Sequence, residues 1–183
     1  MKKVYAIILL MLFVITQAVA VYKITQYFLH PLKYEKEILY YSKEYKLSPV
    51  LVASVINVES SFKADAKSTA GAVGLMQMLP STANYIAELN NLDFLGEDSL
   101  LEPEVNIKFG CLYLKYLIDK FNHIDTALAS YNAGETKVRN WLKDPLYTLD
   151  QKTLSYIPYK ETREYVEKVN ENMKVYKHYN KLK

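Results

Sequence analysis

The run Ser48–Pro80, SPVLVASVINVESSFKADAKSTAGAVGLMQMLP, decides how this chain folds. Ser48 followed by Pro49 is a helix start. Serine offers a hydroxyl to an orphan N–H, and proline at the first helical position gives up no hydrogen bond. Val50 to Val58 are apolar nearly all round, which predicts a buried helix rather than a half-exposed one. Glu59 closes it. Val52, Val55 and Ile56 lie seven, four and three residues before Glu59, so its carboxyl projects from the same face as these apolar side chains. At the lip of a dry helix the charged form is disfavoured, which raises the pKa and keeps the group protonated near neutral pH, as a general acid requires. The helix alone equally allows a terminal glutamate that snorkels to water.

After Glu59 come Ser60 and Phe62, a polar loop, and the run AGAVGLMQMLPSTA. Gly71 and Gly74, beside the small Ala70 and Ala72, permit tight turns and close approach of backbone to a ligand. Here the sequence resembles the SLT-type domain of the lytic transglycosylases, relatives of goose-type lysozyme. The matching fragments are Glu59-Ser60 at a helix end, the loop Gly74-Leu75-Met76-Gln77, and Pro80-Ser81-Thr82-Ala83 opening the next helix. Their order and spacing, more than any one fragment, carry the resemblance. It continues in Ala129-Ser130-Tyr131-Asn132-Ala133-Gly134, in Trp141, and in Ile157-Pro158-Tyr159-Lys160-Glu161-Thr162-Arg163-Glu164-Tyr165-Val166. It covers roughly Ile38 to Val175. Asn57-Val58 departs from the polar or basic pair common before the acid, and Leu79 stands where methionine is frequent, a volume-conserving exchange.

At 183 residues the chain suits one domain with a proper core. Its 23 basic and 20 acidic residues are intermixed and sum to +3, without a basic stripe, so nucleic-acid binding has no support. A mild positive balance favours an anionic cell wall. Tyrosine is abundant, at 17 residues; most are expected to pack, although the ring also suits carbohydrate stacking. The single cysteine, Cys111, excludes an internal disulfide and reads as a small buried hydrophobe. His30, His123 and His178 are scattered without ligand spacing, so neither a metal nor another cofactor is expected.

Outward towards the N-terminus, Tyr34, Ile38, Tyr41 and Tyr45 recur at helical spacing within an amphipathic helix from Lys33 to Lys46. Before it, residues 23–32 form a connector, continuing any preceding helix until His30-Pro31 interrupts. Met1-Lys2-Lys3 precede Val4–Tyr22, whose only polar members are Thr16 and Gln17. Two basic residues before an apolar run indicate export with the N-terminus left inside. As a helix, this run rises roughly 28 Å, enough to span a bilayer core. Residues 1–22 therefore read as a signal anchor, which would make a single-pass membrane protein with an extracytoplasmic domain. Ala18-Val19-Ala20 leaves cleavage and secretion as the alternative.

Towards the C-terminus, helices are expected over Thr82–Leu89 and Asn106–Phe121, separated by an acidic loop from Leu92 to Pro103. Another runs from Ala127 to about Asn132, capped by Asp125 or Thr126 and terminated by Gly134. Gly110, Tyr113 and Leu114, which match a family pattern, are read as packing. Asp144-Pro145 breaks the chain, and the last motif leads into a helix with a basic tail. No segment has strand periodicity. The fold class is mainly α, a lysozyme-like helical domain over 33–183 behind an N-terminal transmembrane or signal helix.

The resemblance implies a lytic transglycosylase that cleaves the β-1,4 bond between N-acetylmuramic acid and N-acetylglucosamine in peptidoglycan glycan strands. Glu59 is then the single acid and base, and the muramoyl C6 hydroxyl attacks in place of water. Ser68, Gln77, Tyr131, Asn132 and Glu161 match positions that line the family's glycan cleft, with Tyr131 expected nearest the acid. Other roles are open to these residues: capping for Gln77 and Asn132, and an ion pair with Arg163 or a lysine for Glu161. A water-using muramidase would need a second carboxylate such as Asp65. A wall-binding protein without turnover is the other alternative. The membrane helix leaves room for a localising protein partner of unidentified kind.

Overall fold

The computed structural model describes residues 2–178 and 182. The chain divides into two compact units, Met1–Pro31 and Leu32–Lys183. The first is a single helix, α1, Lys2–Leu29. Within it Val4–Tyr22 has a mean hydropathy of 2.6 and is long and apolar enough to cross a membrane. The expected connector is helical as far as Leu29; Pro31, which lacks an N–H and restricts the residue before it, accounts for the stop. Met1 lies outside the described residues.

The second unit is helical throughout: α2 (Glu35–Glu44), α3 (Pro49–Ser60), α4 (Pro80–Leu89), a short 3-10 helix (Glu97–Leu101), α5 (Pro103–Phe121), α6 (Ile124–Ala133), α7 (Glu135–Trp141) and α8 (Lys160–Tyr176). Among the described residues there are no strands, only two isolated antiparallel bridges, Lys67 to Val73 and Val73 to Met78. The mainly helical fold expected from sequence is thus the fold observed.

The hub is α3. Val50 to Asn57 are all buried, because α8 packs along one side of it and α2 along another. Leu51, Val52, Val55 and Ile56 are each 2% exposed or less, and full burial of such a side chain stabilises by about 1.5–3 kcal/mol. Ser54 is tolerated in this dry helix because its hydroxyl donates to the Val50 carbonyl at 2.7 Å. Around the hub, α5 packs on α2, α4 and α6, and α6 on α8. Cys111 is buried, in the role expected of it.

Several boundaries differ from the sequence reading. The Ser48 hydroxyl makes no capping bond; its carbonyl instead accepts from Val52 N at 3.1 Å. Helices α4 and α5 start at Pro80 and Pro103, since proline at the first helical position is cheap. The cap of α6 is His123, whose Nδ1 accepts from Thr126 N at 3.3 Å. Asp125 and Thr126 are used elsewhere: Asp125 accepts from Asn170 Nδ2 at 2.9 Å, and the Thr126 hydroxyl from Leu154 N at 3.1 Å. Helix α7 was not expected at all. Of the anticipated basic tail, Lys181 and Lys183 lie outside the described residues.

Candidate active site

Glu59 occupies the last turn of α3. The chain then reverses sharply, with Ser61 at φ 50° and Phe62 at φ 62°. Two residues in the left-handed region carry a steric cost. Phe62, only 1% exposed, inserts into the core directly after the turn and offsets it. The neighbour Ser60 is buried, and its hydroxyl donates to the Leu75 carbonyl at 2.8 Å. The helix end that carries the acid is thereby tied to the glycine-rich loop.

That loop is held from a second side by Asn106 of α5, which is fully buried. Its Oδ1 accepts from Met76 N at 2.7 Å, and its Nδ2 donates to the carbonyls of Val73 and Leu100, both at 2.8 Å. One amide thus bonds three backbone groups, although the Val73 carbonyl also accepts from Met78 N at 3.0 Å. Gly74 (φ 80°) packs so closely here that a Cβ would overlap the Asn106 amide and the Leu100 carbonyl. From the third side, the Tyr131 hydroxyl of α6 donates to the Met76 carbonyl at 2.8 Å. Met76 is also pressed against Gly110, where any Cβ would collide with the thioether.

Between these supports the Glu59 carboxyl is surrounded by protein, although part of the side chain stays accessible. Burial pushes its pKa up from 4.5 to about 7, and the approach of the Tyr165 hydroxyl partly offsets the rise. Among the described residues, no second carboxyl contributes to the shift. The Tyr165 hydroxyl is buried and has no partner of full hydrogen-bond geometry. It faces Glu59 near enough to favour the ionised form. Burial together with the Glu59 charge pushes both Tyr131 and Tyr165 well above the usual phenol range, so each remains a neutral donor.

The structure separates the candidate residues by task. Ser68 is exposed; its hydroxyl accepts from Ala72 N at 2.9 Å and closes the loop tip. Gln77 sits at φ 46°, and its Nε2 donates to the carbonyls of Gly74 and Ala66 at 2.9 and 3.1 Å. It therefore does cap the loop, and the bonds hold the strained backbone in place. Asn132 is exposed and does not cap α6, which Gly134 terminates. Gln77, Tyr131 and Asn132 line one open cavity of about 190 Å³ with Met78, Thr82 and Tyr113. Glu161 is exposed in the first turn of α8 and forms no ion pair among the described residues; Arg163 donates instead to the Ile157 carbonyl at 2.7 Å. Asp65 is exposed on the loop.

Two residues that matter here escaped the sequence reading. Tyr165 lay within a quoted motif, and its place on the buried Thr162, Tyr165, Val166, Val169 face of α8 is a helical-spacing signal. Asn106 looked like an ordinary first residue of a helix. A polar residue followed by the apolar positions of α5 gives no sign that it will be buried, because its partners are backbone groups distant in sequence.

Comparison with known proteins bears on this site. The transglycosylase SLT domain model matches residues 36–161. A soluble lytic murein transglycosylase of Salmonella typhimurium is 36% identical over 152 residues, which are 81% of this chain and 24% of that protein. The chain therefore spans about a quarter of that relative's length. The crystal structure of the 70 kDa soluble lytic transglycosylase of Escherichia coli superposes with a TM-score of 0.73 at 30% identity, over 82% of this chain and 25% of that one. An inactive glutamate-to-glutamine mutant of the lytic transglycosylase Slt from Pseudomonas aeruginosa gives a TM-score of 0.71 at 32% identity, over 80% of this chain and 24% of that one.

Proposed function

The chain belongs to the transglycosylase SLT family, and from that premise we propose that it cleaves peptidoglycan glycan strands without water, with Glu59 as the only acid and base. The observation that carries the reading is a lone buried carboxyl whose pKa is raised to about 7, with no carboxylate partner acting on it. Such a group is part protonated and part ionised near neutral pH, so it can give a proton and take one back. A hydrolytic glycosidase ordinarily requires two carboxylates flanking the scissile bond.

In the proposed reaction, protonated Glu59 gives its proton to the glycosidic oxygen between N-acetylmuramic acid and N-acetylglucosamine. The C1–O bond breaks, and N-acetylglucosamine leaves with a free C4 hydroxyl. The glutamate, now ionised, takes the proton from the muramoyl C6 hydroxyl as O6 bonds to C1. A 1,6-anhydro ring forms, no water is consumed, and the acid is restored. Because the nucleophile belongs to the substrate, the protein needs only one proton shuttle and firm positioning. Ser68, Gln77, Tyr131, Asn132 and Glu161 are the proposed glycan contacts. For Tyr131 the contact falls to the ring and backbone, since its hydroxyl is engaged by Met76. Tyr165 orients the acid and favours its ionised form after the first transfer.

The apolar stretch Val4–Tyr22 is proposed to anchor residues 33–183 on the outer face of the cell membrane. Mass spectrometry of fragments released from purified peptidoglycan tests the reaction. Muropeptides with anhydro-muramic ends, lighter by one water than hydrolysed ones, are expected, and Glu59→Gln is expected to release none. Reducing muramic ends would refute the non-hydrolytic route and direct attention to Asp65.

A further inference from the structure

The outward face of α2 is a stripe of lysine and tyrosine. Lys36, Tyr40 and Lys43 recur at helical spacing and are exposed, while Ile38, Tyr41 and Ser42 are buried on the opposite side. Lys33 before the helix and Lys46 after it are exposed as well. Glu37 and Glu44 fall to one flank of the stripe. None of these four lysines forms an ion pair among the described residues, whereas lysines elsewhere in the domain, such as Lys120 with Glu135, meet carboxylates.

Tyr40 is fixed in place although it is 62% exposed. Its ring stands edge to face on Tyr41 at 4.9 Å, and the Tyr41 hydroxyl donates to Glu104 Oε1 at 3.0 Å. A tyrosine held between lysines joins an apolar ring, a polar tip and positive charge. That is the side-chain set that settles at a membrane–water boundary. The chain also limits how far α2 can stray. Residues 23–29 continue α1 beyond its apolar run, a rise of about 10 Å. Residues 30–34 then lead into α2, and fully extended they reach about 18 Å. A headgroup layer is about 6 Å deep on each side of the hydrocarbon core, so so short a tether keeps α2 within reach of it.

Resting on the anchoring reading above, we infer that the outward face of α2 lies on the anionic phospholipid headgroups of the membrane. Lys36 and Lys43 pair with phosphates there, and Tyr40 sits between them at the boundary. The contact holds the catalytic domain at the bilayer and confines its action to glycan strands next to the membrane.

The test uses the full chain in lipid nanodiscs with Glu44→Cys as a labelling site. Cys111 is fully buried, so the new thiol is the one that reacts. A fluorophore there reports contact through quenching by nitroxides on the lipid headgroups. Strong quenching is expected in discs containing phosphatidylglycerol, weakened by added salt and much weaker in pure phosphatidylcholine. Each lysine near an anionic surface contributes about fivefold, so Lys36→Gln with Lys43→Gln should lower the docked-to-free ratio about thirtyfold. Arginine at both positions should preserve it, and these exposed sites tolerate either pair without loss of the fold. Quenching that is absent, equal in neutral discs or unmoved by the glutamines overturns the inference. So does a label already shielded from iodide in detergent, which would mean that protein covers the stripe. The anchor is judged separately: a chain that elutes apart from the discs refutes both readings, whereas co-elution with an unquenched label refutes the α2 contact alone.

Discussion

Replacing Glu59 by glutamine should make the protein more stable, by an amount that grows as the pH rises from 4.5 to about 7. The native state holds the Glu59 carboxyl where its pKa rises from 4.5 to about 7, so the charged form costs more in the folded protein than in the unfolded chain. At about 1.4 kcal/mol per pH unit the full difference is about 3 kcal/mol. Part of the side chain faces the open cleft, where water screens the charge, and about 2 kcal/mol is the expected destabilisation. The direction follows from proton counting. Between pH 4.5 and about 7 the native state binds more protons at this site than the unfolded state, so stability falls as pH rises. Below that window both forms are neutral and the group contributes no penalty; above it the penalty is complete.

Glutamine has nearly the same shape and never ionises. The two proteins should therefore unfold at the same urea concentration near pH 4, diverge through the window, and differ by about 2 kcal/mol near pH 8.5, with the glutamine variant the more stable. The chain contains one tryptophan, Trp141, which is 9% exposed at the end of α7. Its fluorescence reports on the helical domain without interference from α1 in a detergent micelle. A difference that does not change with pH, or a variant less stable than the parent at alkaline pH, would refute the dry, protonated carboxyl on which the mechanism depends.

Three further outcomes follow from the geometry. Tyr165→Phe removes the dipole that lowers the Glu59 pKa, so the alkaline limb of the pH–rate profile should move to higher pH. Asn106→Ala removes the partner of Met76 N and of the Leu100 carbonyl, while the Val73 carbonyl keeps Met78 N; a loss of at least about 2 kcal/mol is expected from the urea midpoint. Gly110→Ala drives a methyl into Met76 and should cost about 1–3 kcal/mol. In a Met76→Ala background the same substitution should cost far less, which a double-mutant cycle measures.

What could be read in advance followed from local physics. The buried α3 was legible because nine apolar-dominated residues leave no polar face, and Glu59 because three apolar residues at helical spacing fix where it points. The amphipathic α2 was legible for the same reason, whereas α8 was anticipated only from the motif that leads into it. What stayed hidden was set by tertiary partners. Ser48 has the composition of a cap without making the bond, while His123, a less favoured cap, makes one. Helix α7 is short, and Gly134 at φ 92° both ends α6 and starts it, so one residue read as a stop is also a beginning. Asn106 could not be recognised because each of its three partners is a backbone group that any residue would present.

The residues whose pattern identifies the family are, for the most part, not the ones that move protons. Ser60, Gly74, Met76, Gln77 and Tyr131 all meet in one loop, and their polar groups are largely engaged with its backbone. Their shared effect is to fix the Leu75–Met76 segment against the end of α3 from three sides: Ser60 at its own helix, Asn106 from α5, Tyr131 from α6. A carboxyl with the proposed double role gains from such a frame, because the dry surroundings that raise its pKa depend on the packing about it. Loosening any one support should therefore show first as a fall of the Glu59 pKa towards the ordinary carboxylate value, seen as an acidic shift of the pH–rate profile, before the fold itself gives way. Ser60→Ala is the mildest such perturbation, since it removes one hydrogen bond and leaves Asn106 and Tyr131 in place. An unshifted profile in that variant would mean that burial by α8, not the loop, sets the acid.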